Sequence, residues 1–169
     1  MQFNVGDVVV HPAHGVGRIV KLEEKRLFGA EARLYYELST AKSTVWVPVE
    51  GNLTNGLRPV TSKNALAHYR NLLKGRSAAL DKDHRQRNLE LNARLKDGSF
   101  QAVCAVIRDL TAHGWKTPLN DGDAALLRKT RENCYQEWAA AAGVQVTQAS
   151  QEIEALLAEA RQKYSESGR

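Results

Sequence analysis

The sequence predicts a two-domain α+β protein, with a small antiparallel β-barrel over residues 1–60 and a compact five-helix bundle over residues 61–169. Three observations carry this. Before residue 60, short β-branched and aromatic runs are separated by tight turn signals, the pattern of strands. After residue 60 the apolar residues recur at helical spacing. The charge divides as well. Residues 61–100 carry nine basic and four acidic side chains, an excess equal to the net +5 of the whole chain.

The strands follow in order. Val8-Val9-Val10 comes after Gly6-Asp7, and the stretch from Gly17 to Glu23 comes close to polar/apolar alternation. Leu34–Leu38 and Thr44–Val49 are rich in aromatic and β-branched residues, and a short strand is expected at Leu57–Val60. Turns fall at residues 11–15, 28–30, 41–43 and 52–56. Gly15 and Gly17 are expected to let the chain reverse between two strands.

The helices follow. Thr61-Ser62 is read as the N-cap of a first helix that reaches Leu73. A second runs from Lys82 to Leu95, and a third from Ser99 to Ala112 with Phe100, Val103, Ile107 and Leu110 on one face. Residues 114–122 are expected as a loop containing Trp115 and Pro118. The fourth spans Asp123–Ala142, with Leu127, Cys134 and Trp138 on one stripe, and Gly143 ends it. Thr147 is read as the cap of a fifth, whose apolar stripe is Ile153, Leu156, Leu157 and Ala160, with fraying from Ser165 onward.

Several function classes find no support. No apolar run is long enough to span a membrane, and the start of the chain lacks the basic-then-apolar layout of a signal peptide, so a cytoplasmic protein is expected. Motifs for serine hydrolases, nucleotide-binding loops and zinc proteases are absent. Cys104 and Cys134 sit on helical apolar patterns and read as buried thiols. His11 and His14 flank a Pro-Ala turn, and two ligands make an incomplete metal site. No metal, cofactor or enzymatic activity is expected.

Two surfaces remain as functional leads. Trp46 lies between Val45 and Val47, so it faces opposite to them. If the valines point inward, Trp46 is an exposed anchor on a strand; if they point outward, it is core. Lys25, Arg26, Leu27 and Phe28 end the neighbouring hairpin arm and combine two cations with two apolar groups. The second lead is the basic helix, with Lys82, Arg85, Arg87, Arg94 and Lys96. Such a fan of cations suits a phosphate backbone or a solvated face. Nothing in it resembles a base-reading head, so any DNA contact is expected to recognise backbone or shape.

Phe3-Asn4-Val5-Gly6-Asp7-Val8-Val9-Val10-His11-Pro12-Ala13-His14-Gly15-Val16-Gly17, with Val45-Trp46-Val47-Pro48-Val49-Glu50 downstream, resembles the CarD/CdnL family of bacterial transcription regulators. That family shares its N-terminal module with the transcription-repair coupling factor. The likeness extends to Leu95-Lys96-Asp97-Gly98 and Val106-Ile107-Arg108-Asp109-Leu110. No helicase motifs follow, which fits the free-standing factor. The resemblance implies a Tudor-like, SH3-like barrel that pairs with the RNA polymerase β subunit. It also implies a helical domain that contacts upstream promoter DNA, through backbone or minor groove, and favours the open complex. Polymerase contacts fall on Lys25, Leu27 and Trp46, where Trp46 replaces an arginine seen in some members. A tryptophan that wedges into DNA in the family aligns with His84 here, a smaller and more polar group. A monomer at the nucleoid is expected. The alternative is an adaptor that binds a protein by strand addition without a functional DNA wedge.

Overall fold

Five strands precede five helices: β1 (Val8–His11), β2 (Gly15–Lys25), β3 (Arg33–Thr40), β4 (Thr44–Pro48), β5 (Arg58–Pro59), α1 (Leu66–Leu73), α2 (His84–Leu95), α3 (Phe100–Lys116), α4 (Asp121–Ala142) and α5 (Val146–Ser167). The structure is a computed structural model and describes residues 3–26, 29, 31–50 and 56–167. It has the α+β order that the sequence predicts. Two compact units result, Met1–Val60 and Thr61–Arg169. The expected turn at residues 52–55, Leu27 and Phe28 of the hairpin arm, and the last two residues of the chain lie outside the described residues.

The first unit is one antiparallel sheet in the order β4-β3-β2-β1-β5. Its core is a single face built from alternate positions: Val9, Ile19, Tyr36, Leu38 and Val47, closed by Phe3 and Leu57 from the flanking segments. The long strand β2 serves two neighbours, pairing β1 through residues 15–18 and β3 through residues 17–25. Its register shifts between Ile19 and Lys21, a bulge that bends and twists the strand and so curls the sheet. The two glycines of the turn act differently. Gly15 takes φ +76°, the reversal expected of it. Gly17 makes room instead: a Cβ there would lie 2.8 Å from Leu38 Cγ.

His11 organises the β1–β2 turn. Its Nδ1 accepts hydrogen bonds from the main-chain N–H of Ala13 at 3.0 Å and of His14 at 3.3 Å. The ring does what an Asn or Asp side chain does in many turns. Only an unprotonated Nδ1 can accept, and burial followed by the nearby His14 lowers the His11 pKa below its ordinary 6.5.

The helical unit closes around Leu66, Leu73, Leu91, Phe100, Ile107, Leu110, Trp138 and Ile153. Side-chain caps start three helices. Asp83 accepts from Arg85 N–H, Ser99 from Ala102 N–H and Asn120 from Asp123 N–H. Some boundaries differ from the sequence reading. Ser62 caps a turn ahead of α1 by accepting from Ala65 N–H, and the helix itself starts at Leu66. The third helix continues to Lys116, so Trp115 is helical and packs beside Tyr164, with ring centroids 5.6 Å apart. Pro118 forces the stop by holding Thr117 in an extended conformation. Gly114 is tolerated in the last turn because Leu119 folds back against it, 3.3 Å from where a Cβ would stand. The fifth helix begins at Val146, ahead of Thr147, and Gln148 reaches back to accept from Gln145 N–H.

The second helix is unusual in how little apolar surface it buries. Leu91 is its one fully buried apolar side chain, with Leu95 partly buried. Two aspartates supply the rest of its attachment. Asp123, 1% exposed, accepts from Arg87 Nη2 at 2.6 Å and Nε at 2.9 Å. The third Arg87 nitrogen donates to the carbonyls of Asp81 and Lys82. Asp109, equally buried, accepts from Arg94 at 2.9 Å, from Arg108 and from Ala78 N–H. These bonds tie α2 and the segment before it to α3 and α4.

Two outcomes follow. His11 has a folded-state pKa below its unfolded value, so its stabilising contribution is complete above about pH 6.5 and is lost as pH falls through the lowered folded value. The urea midpoint should therefore drop between neutral and mildly acidic pH, and His11→Asn, which keeps an acceptor but cannot protonate, should flatten that drop. Asp123→Ala should cost about 3 kcal/mol or more by leaving the Arg87 charge buried alone. Replacing both partners, Arg87→Met with Asp123→Leu, should recover most of the loss in chemical denaturation.

Candidate functional site

The outer face of the sheet follows from the pairing register. Ile19, Leu38 and Val45 form an inward row, as do Tyr36 and Val47, while Leu22, on the same side, lies beyond the core and is exposed. The rows between them point outward: Lys21, Glu37 and Trp46; Glu23, Tyr35 and Pro48; Lys25 and Arg33. Val47 is 1% exposed and Trp46 is 44% exposed. Of the two orientations open to the sequence, the valines-in, tryptophan-out arrangement is the one found.

Trp46 is supported by a cation. The Lys25 ammonium lies 3.9 Å from the centre of its ring, a contact worth about 0.5–1 kcal/mol at an exposed site. Glu23 holds the Lys25 ammonium at 3.9 Å and the Lys21 ammonium at 3.4 Å. The Lys25–Trp46 pair thus joins two of the expected polymerase-facing residues in one contact. Arg26 is exposed at the end of the arm, while Leu27 and Phe28 fall among the undescribed residues.

Among the described residues the same strand has a free edge. β4 is terminal in the sheet order. Main-chain bonds from Val49 N–H to Leu34 O and from Thr40 N–H to Ser43 O fix which residues bond inward. By antiparallel alternation Val45 and Val47 also bond to β3, so Thr44 and Trp46 turn their N–H and C=O groups outward. Pro48 offers no N–H and ends the usable edge. Trp46 therefore presents a large planar side chain and an unpaired peptide group together, an arrangement suited to adding a partner strand.

The basic helix is less uniform than its sequence suggests. Lys82, His84, Arg85 and Lys96 are exposed. Arg87 is 6% exposed, and its guanidinium is spent on Asp123 and two carbonyls. The expectation that it faces phosphate is corrected by this burial. Arg94 is likewise drawn to Asp109, although a third of its side chain still meets solvent. His84, the wedge position by resemblance, is the first residue of the helix, with its Nδ1 3.9 Å from Asp83 Oδ1.

Sequence reasoning missed Asp109 and Asp123 as partners. A signal was available: Arg87, Leu91 and Arg94 fall at i, i+4 and i+7, so both arginines share the face of the buried leucine. Leu89, off that face and 66% exposed, was also passed over.

The remaining chemistry is quiet. Cys104 and Cys134 are fully buried. A hydrogen bond with Cys104, and then burial, hold the Cys134 thiol well above its ordinary range, which leaves it a poor nucleophile. His11 spends its Nδ1 on the turn. No helix among the described residues is long and apolar enough to cross a membrane.

Comparison with known proteins agrees with these two units. Residues 3–61 match the family model described as the CarD-like/TRCF RID domain, and residues 69–154 match that of the CarD C-terminal domain. The chain is 31% identical over 136 residues to YdeB of Bacillus subtilis (strain 168), a protein provisionally named as a transcription factor. That alignment covers 79% of this chain and 86% of YdeB. With both units matched in order, the chain belongs to the CarD family of transcription regulators.

Proposed function

We propose that this protein is a non-enzymatic regulator of transcription initiation that docks on the RNA polymerase β subunit through residues 1–60. The helical unit, residues 61–169, touches upstream promoter DNA and adjusts the stability of the open complex. The observation that carries the polymerase arm is the free β4 edge, where Trp46 offers both an exposed ring and outward peptide groups. A strand added there would gain main-chain hydrogen bonds from Thr44 and Trp46, and a side-chain anchor from the ring stacked on Lys25. Arg26 and Leu27 extend this surface in the reading. Losing the arginine of some relatives removes a salt bridge but keeps a large buried contact area on docking.

The DNA arm rests on Lys82, His84, Arg85 and Lys96, the members of the basic helix that remain exposed. Contacts of this kind position a protein on phosphates without reading sequence. A second reading, a protein–protein adaptor, draws support from the internal ion pairs of Arg87 and Arg94, which leave fewer cations for phosphate. Salt-dependent binding to duplex DNA separates the two.

Trp46→Ala tests the polymerase arm. Because the residue is 44% exposed and lies outside the core, the substitution should change folding stability by only about 0.5–1 kcal/mol. It should weaken binding to the isolated polymerase β lobe about thirtyfold, a hot-spot loss of about 2 kcal/mol, read by calorimetry or interferometry. Undiminished binding by the variant would move the interface off this edge.

A further inference from the structure

A groove of about 380 Å³ runs along α4, built from residues that neither proposed surface uses. Its residues on the helix, Ala124, Leu127, Arg128, Arg131 and Tyr135, recur at steps of three and four and so share one stripe. Leu119, from the segment ahead of α4, lines one end and is itself seated against Gly114 of α3. The floor there is apolar, with Leu127 buried and Leu119 and Ala124 half-buried. The rim is charged. Arg128 is exposed, as are Lys129 beside it and Glu132 across from it, so two cations face one acid.

Arg131 is held in position before any ligand arrives. Its Nη1 donates to Glu154 of α5 at 3.2 Å and its Nη2 to the Thr111 hydroxyl of α3 at 3.0 Å. The Tyr135 hydroxyl donates to the same Glu154 oxygen. The Arg131 Nε is buried with no acceptor among the described residues, and a buried donor in that state is one an anionic oxygen would satisfy. The side chain as a whole keeps 25% of its surface in solvent, so an anion reaches it without parting the helices. Arg128 and Arg131 are three residues apart and therefore neighbours on the helix surface. Two guanidiniums so placed can close on one carboxylate, the anion whose geometry fits their fork of donors.

We propose that this groove binds a small amphipathic carboxylate, its head on Arg128 and Arg131 and its apolar tail over Leu127, Ala124 and Leu119. The order of the stripe sets that direction. From Arg131 back to Ala124 the helix falls about 10 Å, and Leu119 continues the apolar floor beyond it. At about 30 Å³ for each water-sized group, 380 Å³ holds roughly a dozen non-hydrogen atoms, the size of a medium-chain fatty acid. A bare anion would leave the floor uncovered, and a cationic ligand would meet the arginines. The site takes no residue from the β4 edge or from α2, so it stands apart from the proposed polymerase and DNA contacts.

The test uses the full chain and decanoate, kept below its micelle concentration. Calorimetry should find one saturable site, and amide resonances of α4 between Ala124 and Tyr135 should shift on titration. The thermal midpoint should rise with decanoate, as it does for a ligand held by the folded chain, whereas detergent-like action lowers it. Decanol, which lacks the charge, and acetate, which lacks the tail, should each bind about tenfold more weakly or worse. Decyltrimethylammonium, with the opposite charge, should not bind. Arg128→Gln, an exposed change to another good helix former, should weaken decanoate about tenfold, the loss of one charge-assisted contact. Ala124→Phe should fill the floor and abolish binding, and Arg128→Gln decides the matter if the filled variant has a lowered urea midpoint without ligand. No saturable decanoate site, a falling thermal midpoint, equal binding of the ammonium analogue, full affinity in Arg128→Gln, or shifts confined to other helices would each overturn the inference.

Discussion

Asp109 and Asp123 set the terms for the helical unit. A carboxylate taken out of water costs several kcal/mol unless cations and donors meet it, and both aspartates are 1% exposed. Asp123 is met by Arg87, and Asp109 by Arg94, Arg108 and a main-chain N–H. Those demands fix the rotation of α2, because Leu91 alone buries too little apolar surface to do so. Once Arg87, Leu91 and Arg94 face inward, Arg85, Leu89 and Lys96 must face out. The outer stripe of this helix is therefore a consequence of its inner ion pairs. The same demand takes two cations out of the set available to phosphate.

The sheet unit obeys a parity rule of the same kind. A core built on Ile19, Tyr36, Leu38 and Val47 leaves the intervening positions of each strand no choice but the outer face. Trp46 is carried outward by the burial of Val47, and the terminal place of β4 leaves its peptide groups unpaired among the described residues. Lys25 reaches the ring because β2 is long and bulged, so its far end extends past the core. Ring, edge and cation converge by geometry, and the Lys25 ammonium lies over the ring.

The sequence carried the fold at the level of period. Alternation before residue 60 and helical spacing after it were enough to place five strands and five helices, since each element buries its apolar face by itself. The parity around Trp46 was readable too, but only up to a sign, because two valines beside a tryptophan do not say which side is core. Helix ends were harder. Trp115 and Gly114 looked like loop residues, and only the packing of Leu119 and Tyr164 shows why the helix runs on to Lys116. The destiny of Arg87 was not legible from composition: its partner lies 36 positions away on α4. A cation on a helical pattern reads the same whether it meets water, phosphate or a buried carboxylate. The i, i+4, i+7 relation to Leu91 held the distinction, and it appears only once burial is asked of each face separately.

The most direct test of the account is hydrogen exchange of the full chain with and without the polymerase β subunit. The Thr44 and Trp46 amides point to a free edge, so they should exchange readily in the isolated protein and slow markedly in the complex. A complex that forms while exchange along β4 stays unchanged would contradict strand addition at this edge, and with it the central claim that Trp46 marks the polymerase interface.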